Sequence, residues 1–94
     1  MKVSNFWGVP NQFLITEEGR GALGNFTKRE TFLSYKSIIA VITRWPDETI
    51  TELDETYWNY SKTTSKYRSL FLGETTKETQ AKIKSGEYKL KNLN

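Results

Sequence analysis

From Asn11 to Glu17 the residues alternate, with Phe13 and Ile15 on one side of an extended chain and Gln12, Leu14 and Thr16 on the other. The segment reads as a strand that begins after Pro10. A second strand is expected at Lys28 to Tyr35, joined to the first by the Gly-rich stretch Gly19-Arg-Gly-Ala-Leu-Gly-Asn25 in a hairpin with a long loop. Ser37 to Arg44 then carries Ile38, Ile39, Val41 and Ile42 in near-continuous order, and a run apolar on both sides belongs at the centre of a sheet. Trp45-Pro-Asp-Glu48 is turn chemistry, because proline presets φ and aspartate bonds back to the backbone. Thr49 to Leu53 returns as a fourth, antiparallel strand.

Beyond Asp54 the period lengthens. With Tyr60 at zero and about 100° per residue, Thr64, Tyr67 and Phe71 fall within about 40° of it, and Leu70 lies at the edge of the stripe. The spacing predicts an amphipathic helix over about 61–72, capped by Ser61 or Thr63 and ended by Gly73, whose missing Cβ permits the left-handed turn. Thr75-Thr-Lys-Glu78 has the spacing of a capping box, so a second helix is expected over about 76–85, with Lys82 and Lys84 complementing its C-terminal dipole and Gly86 stopping it. Tyr88, Leu90 and Leu93 are expected to pin the tail to the body.

These elements predict an α+β fold in which a four-stranded antiparallel sheet over about 11–53 is followed by two short helices packed on one face. At 94 residues the chain makes a single domain over 1–94, comprising the sheet, a helical basic part at about 61–86 and a tail at 87–94. Two short helices cover only one side of a central strand that is apolar on both. The other side is therefore expected either to lie under Phe6 and Trp7 or to meet a partner or a second copy in a homodimer.

Composition narrows the chemistry. The chain has no Cys and no His, which removes disulfides, the thiol nucleophile, the imidazole base and the usual zinc ligands. No cofactor, metal site or catalytic residue is expected, and the protein is read as not an enzyme. Gly19-Arg-Gly-Ala-Leu-Gly24 matches the dinucleotide fingerprint only formally, because a strand pattern rather than a helix follows it. The carboxylates from Asp47 to Glu55 lack the ligand order of calcium loops and read as a solvated turn and strand end. No apolar run approaches the roughly 20 residues that span a bilayer. Met-Lys-Val-Ser-Asn does not read as a signal peptide, so a cytoplasmic protein is expected.

Charge is unevenly placed. Residues 1–60 carry six Lys and Arg against eight Asp and Glu, whereas residues 61–94 carry eight against three. The basic part points to an anionic partner, such as nucleic acid or an acidic protein face. Within it, Tyr57-Trp-Asn-Tyr-Ser-Lys-Thr-Thr-Ser-Lys-Tyr-Arg68 interleaves rings, hydroxyls and cations, the groups that stack on bases and bind phosphates. Lys62, Lys66, Arg68, Lys77 and Lys84 are the candidate basic binding face, with Trp58 the candidate for stacking on a base. Lys62 and Lys66 share a helix face with Ser69, opposite the apolar stripe, and Lys77 and Lys84 lie two turns apart on the second helix.

Three stretches together resemble a known group: Val9-Pro-Asn-Gln-Phe13, Phe32-Leu-Ser-Tyr-Lys-Ser-Ile-Ile-Ala40, and Tyr57 to Gly73 running into Thr76-Lys-Glu-Thr79 and Lys82-Ile-Lys-Ser-Gly-Glu-Tyr-Lys-Leu90. The chain resembles a family of short proteins of unknown biochemical role carried by bacteriophages and mobile elements. The resemblance implies an accessory protein acting in the cytoplasm of a bacterial host, and it brings no catalytic residues. The expected function is a non-enzymatic phage-type binding protein that blocks a host nucleoprotein or defence enzyme, for example an anti-CRISPR type of inhibitor. The alternative is a small nucleic-acid-binding module that holds DNA or RNA phosphates on its basic helical face.

Overall fold

The computed structural model describes residues 2–19 and 27–94, and only the backbone of Trp7. The interior of the expected Gly19–Lys28 loop, with the rejected dinucleotide motif, lies outside the described residues. The described elements are β1 (Lys2–Asn5), a 3₁₀ turn (Phe6–Gly8), β2 (Gln12–Glu18), β3 (Lys28–Ser34), β4 (Ser37–Arg44), β5 (Thr49–Asp54), α1 (Lys62–Leu72), α2 (Thr76–Ser85) and β6 (Lys89–Lys91). The class is α+β, as the pattern predicts. Among the described residues, however, the sheet has six strands in the order β1-β2-β3-β4-β5-β6 and is mixed, because β6 runs parallel to β5 while the other pairs are antiparallel. The two additional strands are the sheet's edges. Lys-Val-Ser-Asn and Lys-Leu-Lys are exposed along their whole length and only four and three residues long, too short for a period-two pattern to mark them as strands.

Register places one core row across the sheet. Leu14, Phe32, Ala40 and Leu53 are successive partners in β2, β3, β4 and β5, and residues directly opposite one another share a face. On that face Phe71 and Leu72 of α1 and Ile83 of α2 pack with Trp58 against Ala40, Leu53 and Tyr88. Phe6 joins the same side: its ring centroid is 5.4 Å from that of Phe32 and 6.2 Å from that of Phe71. The expectation that Phe6 covers the opposite face is thus corrected, since Phe6 completes the helix-side core. The side chain of Trp7, the other half of that expectation, is outside the described residues.

The helix ends follow their local chemistry. Ser61 Oγ accepts from the Thr64 amide at 3.1 Å, and Gly73 closes α1 at φ 71°, where a side chain would be strained. Thr75 and Glu78 form the reciprocal capping box at the start of α2. The buried stripe of α1 differs from the expected one. Thr64, on the expected stripe, is fully buried, but Tyr60 precedes the helix and is 48% exposed, and Arg68, off the expected stripe, is fully buried. Thr64 meets the sheet through a 2.9 Å hydrogen bond between its hydroxyl and that of Ser34.

Asp54, expected among the solvated carboxylates, is buried and organises the end of the sheet. Its Oδ2 accepts from the amides of Thr56 and Tyr57, and its Oδ1 accepts from the Leu93 amide at 2.8 Å. Burial pushes its pKa up, but these amides and the Asn94 side chain more than offset that and hold it below the ordinary aspartate value. The Asn94 side chain in turn bonds both the amide and the carbonyl of Ile38, ahead of Ala40 where the β4–β5 pairing starts. The tail is therefore pinned by Tyr88, Leu93 and Asn94, while Leu90 is 41% exposed.

Among the described residues, two buried side chains, Gln12 and Arg68, have atoms without a hydrogen-bond partner. Gln12 is 1% exposed, and neither its amide nitrogen nor its amide oxygen has a hydrogen-bond partner among the described residues. An unpaired buried amide costs about 1–3 kcal/mol. Gln12→Met keeps the length without the polar atoms, so it should raise stability by about 1 kcal/mol, read as a higher urea midpoint. A lower midpoint would show that the amide is satisfied in solution.

Candidate functional site

The expected basic face is assembled only in part. Lys62 and Lys66 are exposed on α1, opposite Thr64 and Arg68, and Lys77 and Lys84 are exposed on α2, opposite the buried Thr79. None of the four makes an ion pair among the described residues, and no hydrogen bond joins the lysines of one helix to those of the other. Arg68 does not belong with them. It has no exposed surface, and its Nη1 donates to the Trp58 carbonyl at 2.6 Å and to Asn59 Oδ1 at 3.2 Å, while Nη2 donates to Thr76 Oγ1 at 2.6 Å. The guanidinium carbon also lies 5.1 Å from the centroid of the Trp58 ring. Arg68 is thus a structural pin between the turn before α1, α1 itself and the start of α2. Trp58, expected to stack on a base, is occupied by Arg68 and by the helix-side core.

A second buried cluster ties α2 to the tail. Glu74 Oε1 accepts from Lys82 Nζ at 2.8 Å and from the Tyr88 hydroxyl at 2.7 Å, and its Oε2 accepts from the Thr79 hydroxyl at 2.6 Å. Every oxygen of this carboxylate is engaged within the fold, so it is a structural group rather than a free acid or base. Beside the start of α1, Asn59, Tyr60, Ser61, Lys62 and Ser65 line an open hollow. The Ser61 and Ser65 hydroxyls there already cap α1 and bond Asn59.

The opposite face of the sheet is different in kind. By register it carries Val3, Ile15, Thr31, Val41, Glu52 and Lys89 as one row and Phe13, Leu33 and Ile38 as another. A third row runs through Arg29, Thr43 and Ile50. Apart from the buried Thr31 and Thr43, these residues are half-buried or exposed, and among the described residues no helix packs on them. At one end of this face Arg29, Thr43, Trp45, Ile50, Glu52, Lys89 and Lys91 surround a pocket of about 280 Å³. Thr43, 4% exposed, forms its floor and accepts from Arg29 Nε at 3.3 Å. Lys91 Nζ is 2.7 Å from Glu52 Oε2, so the one carboxylate in the wall is already matched.

Among the described residues no group of acidic side chains has the arrangement of a metal site, and no helix is long and apolar enough to cross a membrane. The sheet-face pocket was not visible to local sequence reasoning, because its walls come from β3, β4, β5 and β6 and meet only through long-range pairing. The one local signal is the alternation Lys89-Leu90-Lys91, which sends both lysines to the same side of an extended chain.

No curated protein and no solved structure matches this chain. A family model described as a family of unknown function, DUF8033, matches residues 3–87 and so takes in both helices and the sheet from β1 to β5. The chain belongs to that family, DUF8033, whose function is unknown.

Proposed function

We propose that the chain is a non-enzymatic binding protein of phage type, which blocks a host nucleoprotein or defence enzyme, in the manner of an anti-CRISPR inhibitor, by laying its helix-free sheet face against it. The observation that carries this reading is the face itself. Phe13, Ile15, Leu33, Ile38, Val41 and Ile50 leave apolar surface beside Arg29, Lys89 and Lys91, and both helices are engaged on the other side. An apolar centre with a charged rim is the usual anatomy of a protein interface. The absence of His and Cys from the sequence fits action by occupancy better than by turnover.

Val3 and Ile15 are cross-strand partners on this face, and Val3 is 57% exposed. Val3→Glu combined with Ile15→Glu should leave the far-UV circular dichroism unchanged and abolish co-purification of the host partner that wild type retains. Retention by this variant, with loss in Lys62→Glu combined with Lys66→Glu, would move the interface to the helices. A monomer–dimer equilibrium by light scattering, abolished by the sheet-face pair, would make the occupant a second copy of the chain.

A second reading is favoured by four exposed lysines, Lys62, Lys66, Lys77 and Lys84, that have no ion-pair partner among the described residues. It is a nucleic-acid module that holds phosphates on the helical side. Such binding weakens with salt at a slope of roughly −0.7 to −0.9 per phosphate contact. Lys62→Glu with Lys66→Glu should then reduce the slope by about two contacts, and an unchanged slope would dismiss the reading.

A further inference from the structure

We infer that β1 pairs antiparallel with the β1 of a second copy, about a two-fold axis at Val3, and so joins two sheets into one. The inference does not rest on the reading of the helix-free face as the binding face. Pairing at the edge leaves that face open on both copies and sets the two side by side.

The direction of the β1 backbone groups follows from the neighbouring ladder. At the two ends of the β2–β3 register the Gly19 amide donates to the Thr27 carbonyl at 2.9 Å, and the Tyr35 amide to the Asn11 carbonyl at 2.7 Å. Hydrogen-bonded pairs alternate along an antiparallel ladder, so Phe13, Ile15 and Glu17 turn their amides and carbonyls towards β3. Leu14 and Thr16 turn theirs towards β1, where their partners are Ser4 and Lys2. Val3, between those two, therefore sends both its amide and its carbonyl outward from the sheet. Neither group has a partner among the described residues. An edge that presents such groups is a template for another strand.

The sequence of β1 fits its own copy. Centred on Val3, the pairing makes two reciprocal amide–carbonyl bonds and puts Val3 on Val3, while each Lys2 falls opposite a Ser4, so that no like charges meet. Val3 is exposed and ends the row that runs through Ile15, Thr31 and Val41, and the copy continues that row across the junction. The other edge does not suit the same pairing: centred on Leu90, β6 would set each Lys89 opposite the copy's Lys91. Overhead, α1 packs on β3 and β4, two strands in from β1, which keeps it clear of the edge. Closed two-fold pairing is also the commonest form of self-association.

The test is sedimentation equilibrium across a hundredfold range of concentration. A contact this small, below the roughly 1,200 Å² of stable interfaces, should give a dissociation constant of roughly 0.1 to 1 mM, so the average mass should rise from one chain towards two. Val3→Pro should leave the circular dichroism and the melting temperature unchanged, because the amide it removes faces away from β2 and proline is tolerated at such a position. It should weaken the dimer at least about tenfold through the loss of both reciprocal bonds. In the wild type, the Val3 amide should exchange with solvent more slowly at high than at low concentration, with no such change at Lys2 or Ser4. A strict monomer at the highest concentration would overturn the inference, as would a Val3 amide indifferent to concentration. Val3→Glu with Ile15→Glu abolishes a dimer of either geometry, so Val3→Pro decides between them. A dimer that Val3→Pro retains and that pair abolishes would seat the copy on the helix-free face and overturn pairing at the edge. Host-partner capture is a separate readout, and it tests the face whatever the mass of the free protein.

Discussion

Arg68→Ala should lower the melting temperature by roughly 12 to 24 °C, the equivalent of about 3 kcal/mol in a domain of this size. The guanidinium has no exposed surface and holds the Trp58 carbonyl and the Thr76 hydroxyl at 2.6 Å each. Truncation leaves both groups buried without a partner, at about 1–3 kcal/mol apiece, and opens a cavity where the side chain stood. Part of this loss is offset, because burial disfavours the charge and pushes the Arg68 pKa down, with only Glu74 nearby to counter it. The Nε of Arg68 also lacks a partner. Arg68→Met separates the contributions: it refills the space but not the hydrogen bonds, and should still cost about 2 kcal/mol. Arg68→Lys should cost about as much, since one ammonium cannot reach Trp58 and Thr76 together. Thermal unfolding followed by circular dichroism measures all three. A melting point within a few degrees of wild type for Arg68→Ala would mean that the bonds do no more than cancel the cost of burial.

Arg68 also shows why parts of the molecule are legible in the sequence and others are not. The Gly73 stop, the Thr75–Glu78 box and the span of β4 are set within a few residues and read directly from the chain, which also narrows the cap of α1 to Ser61 or Thr63. The buried stripe of α1 needs a correct origin for the helical angle. Taking Tyr60 as zero puts Arg68 about 80° away, among the polar residues, whereas the observed stripe centres on Thr64, from which Arg68 is only about 40° removed. The aromatic residue was the misleading signal, because Tyr60 lies outside the helix and packs edge-on against Tyr57. The sheet-face pocket is harder still. Arg29, Thr43, Glu52 and Lys89 meet through pairings between distant segments, and β6 is only three residues long. Period-two patterning reveals which side a residue takes only once its strand has been recognised.

The stability of the protein should fall on both sides of a broad neutral plateau, with Glu74 responsible for a measurable share of both limbs. Burial pushes the Glu74 pKa up, but the bonds from Lys82, Thr79 and Tyr88 outweigh it and hold the pKa below the 4.5 of a free glutamate. The folded chain therefore binds fewer protons than the unfolded one. The contribution is complete above pH 4.5 and is lost as pH falls through the folded value. Asp54 acts in the same direction. At the alkaline end, burial first and the Glu74 bond second push the Tyr88 phenol up to about 12, and the same carboxylate raises the Lys82 ammonium. For both, stability is present below their unfolded values near 10 and is lost as pH rises through the folded ones. Glu74→Gln breaks the cluster at its centre: the amide nitrogen cannot accept from Lys82, Tyr88 or Thr79, and a 5% exposed side chain has no water to substitute. The expected cost at pH 7 is about 2 kcal/mol. The variant should also flatten both limbs, so that its deficit against wild type shrinks below pH 4 and above pH 11. Urea unfolding of the two proteins from pH 3 to 11.5 measures this. A deficit that stayed constant across the range would show that Glu74 acts by shape alone, and that its charge contributes nothing to holding α2 and the tail on the sheet.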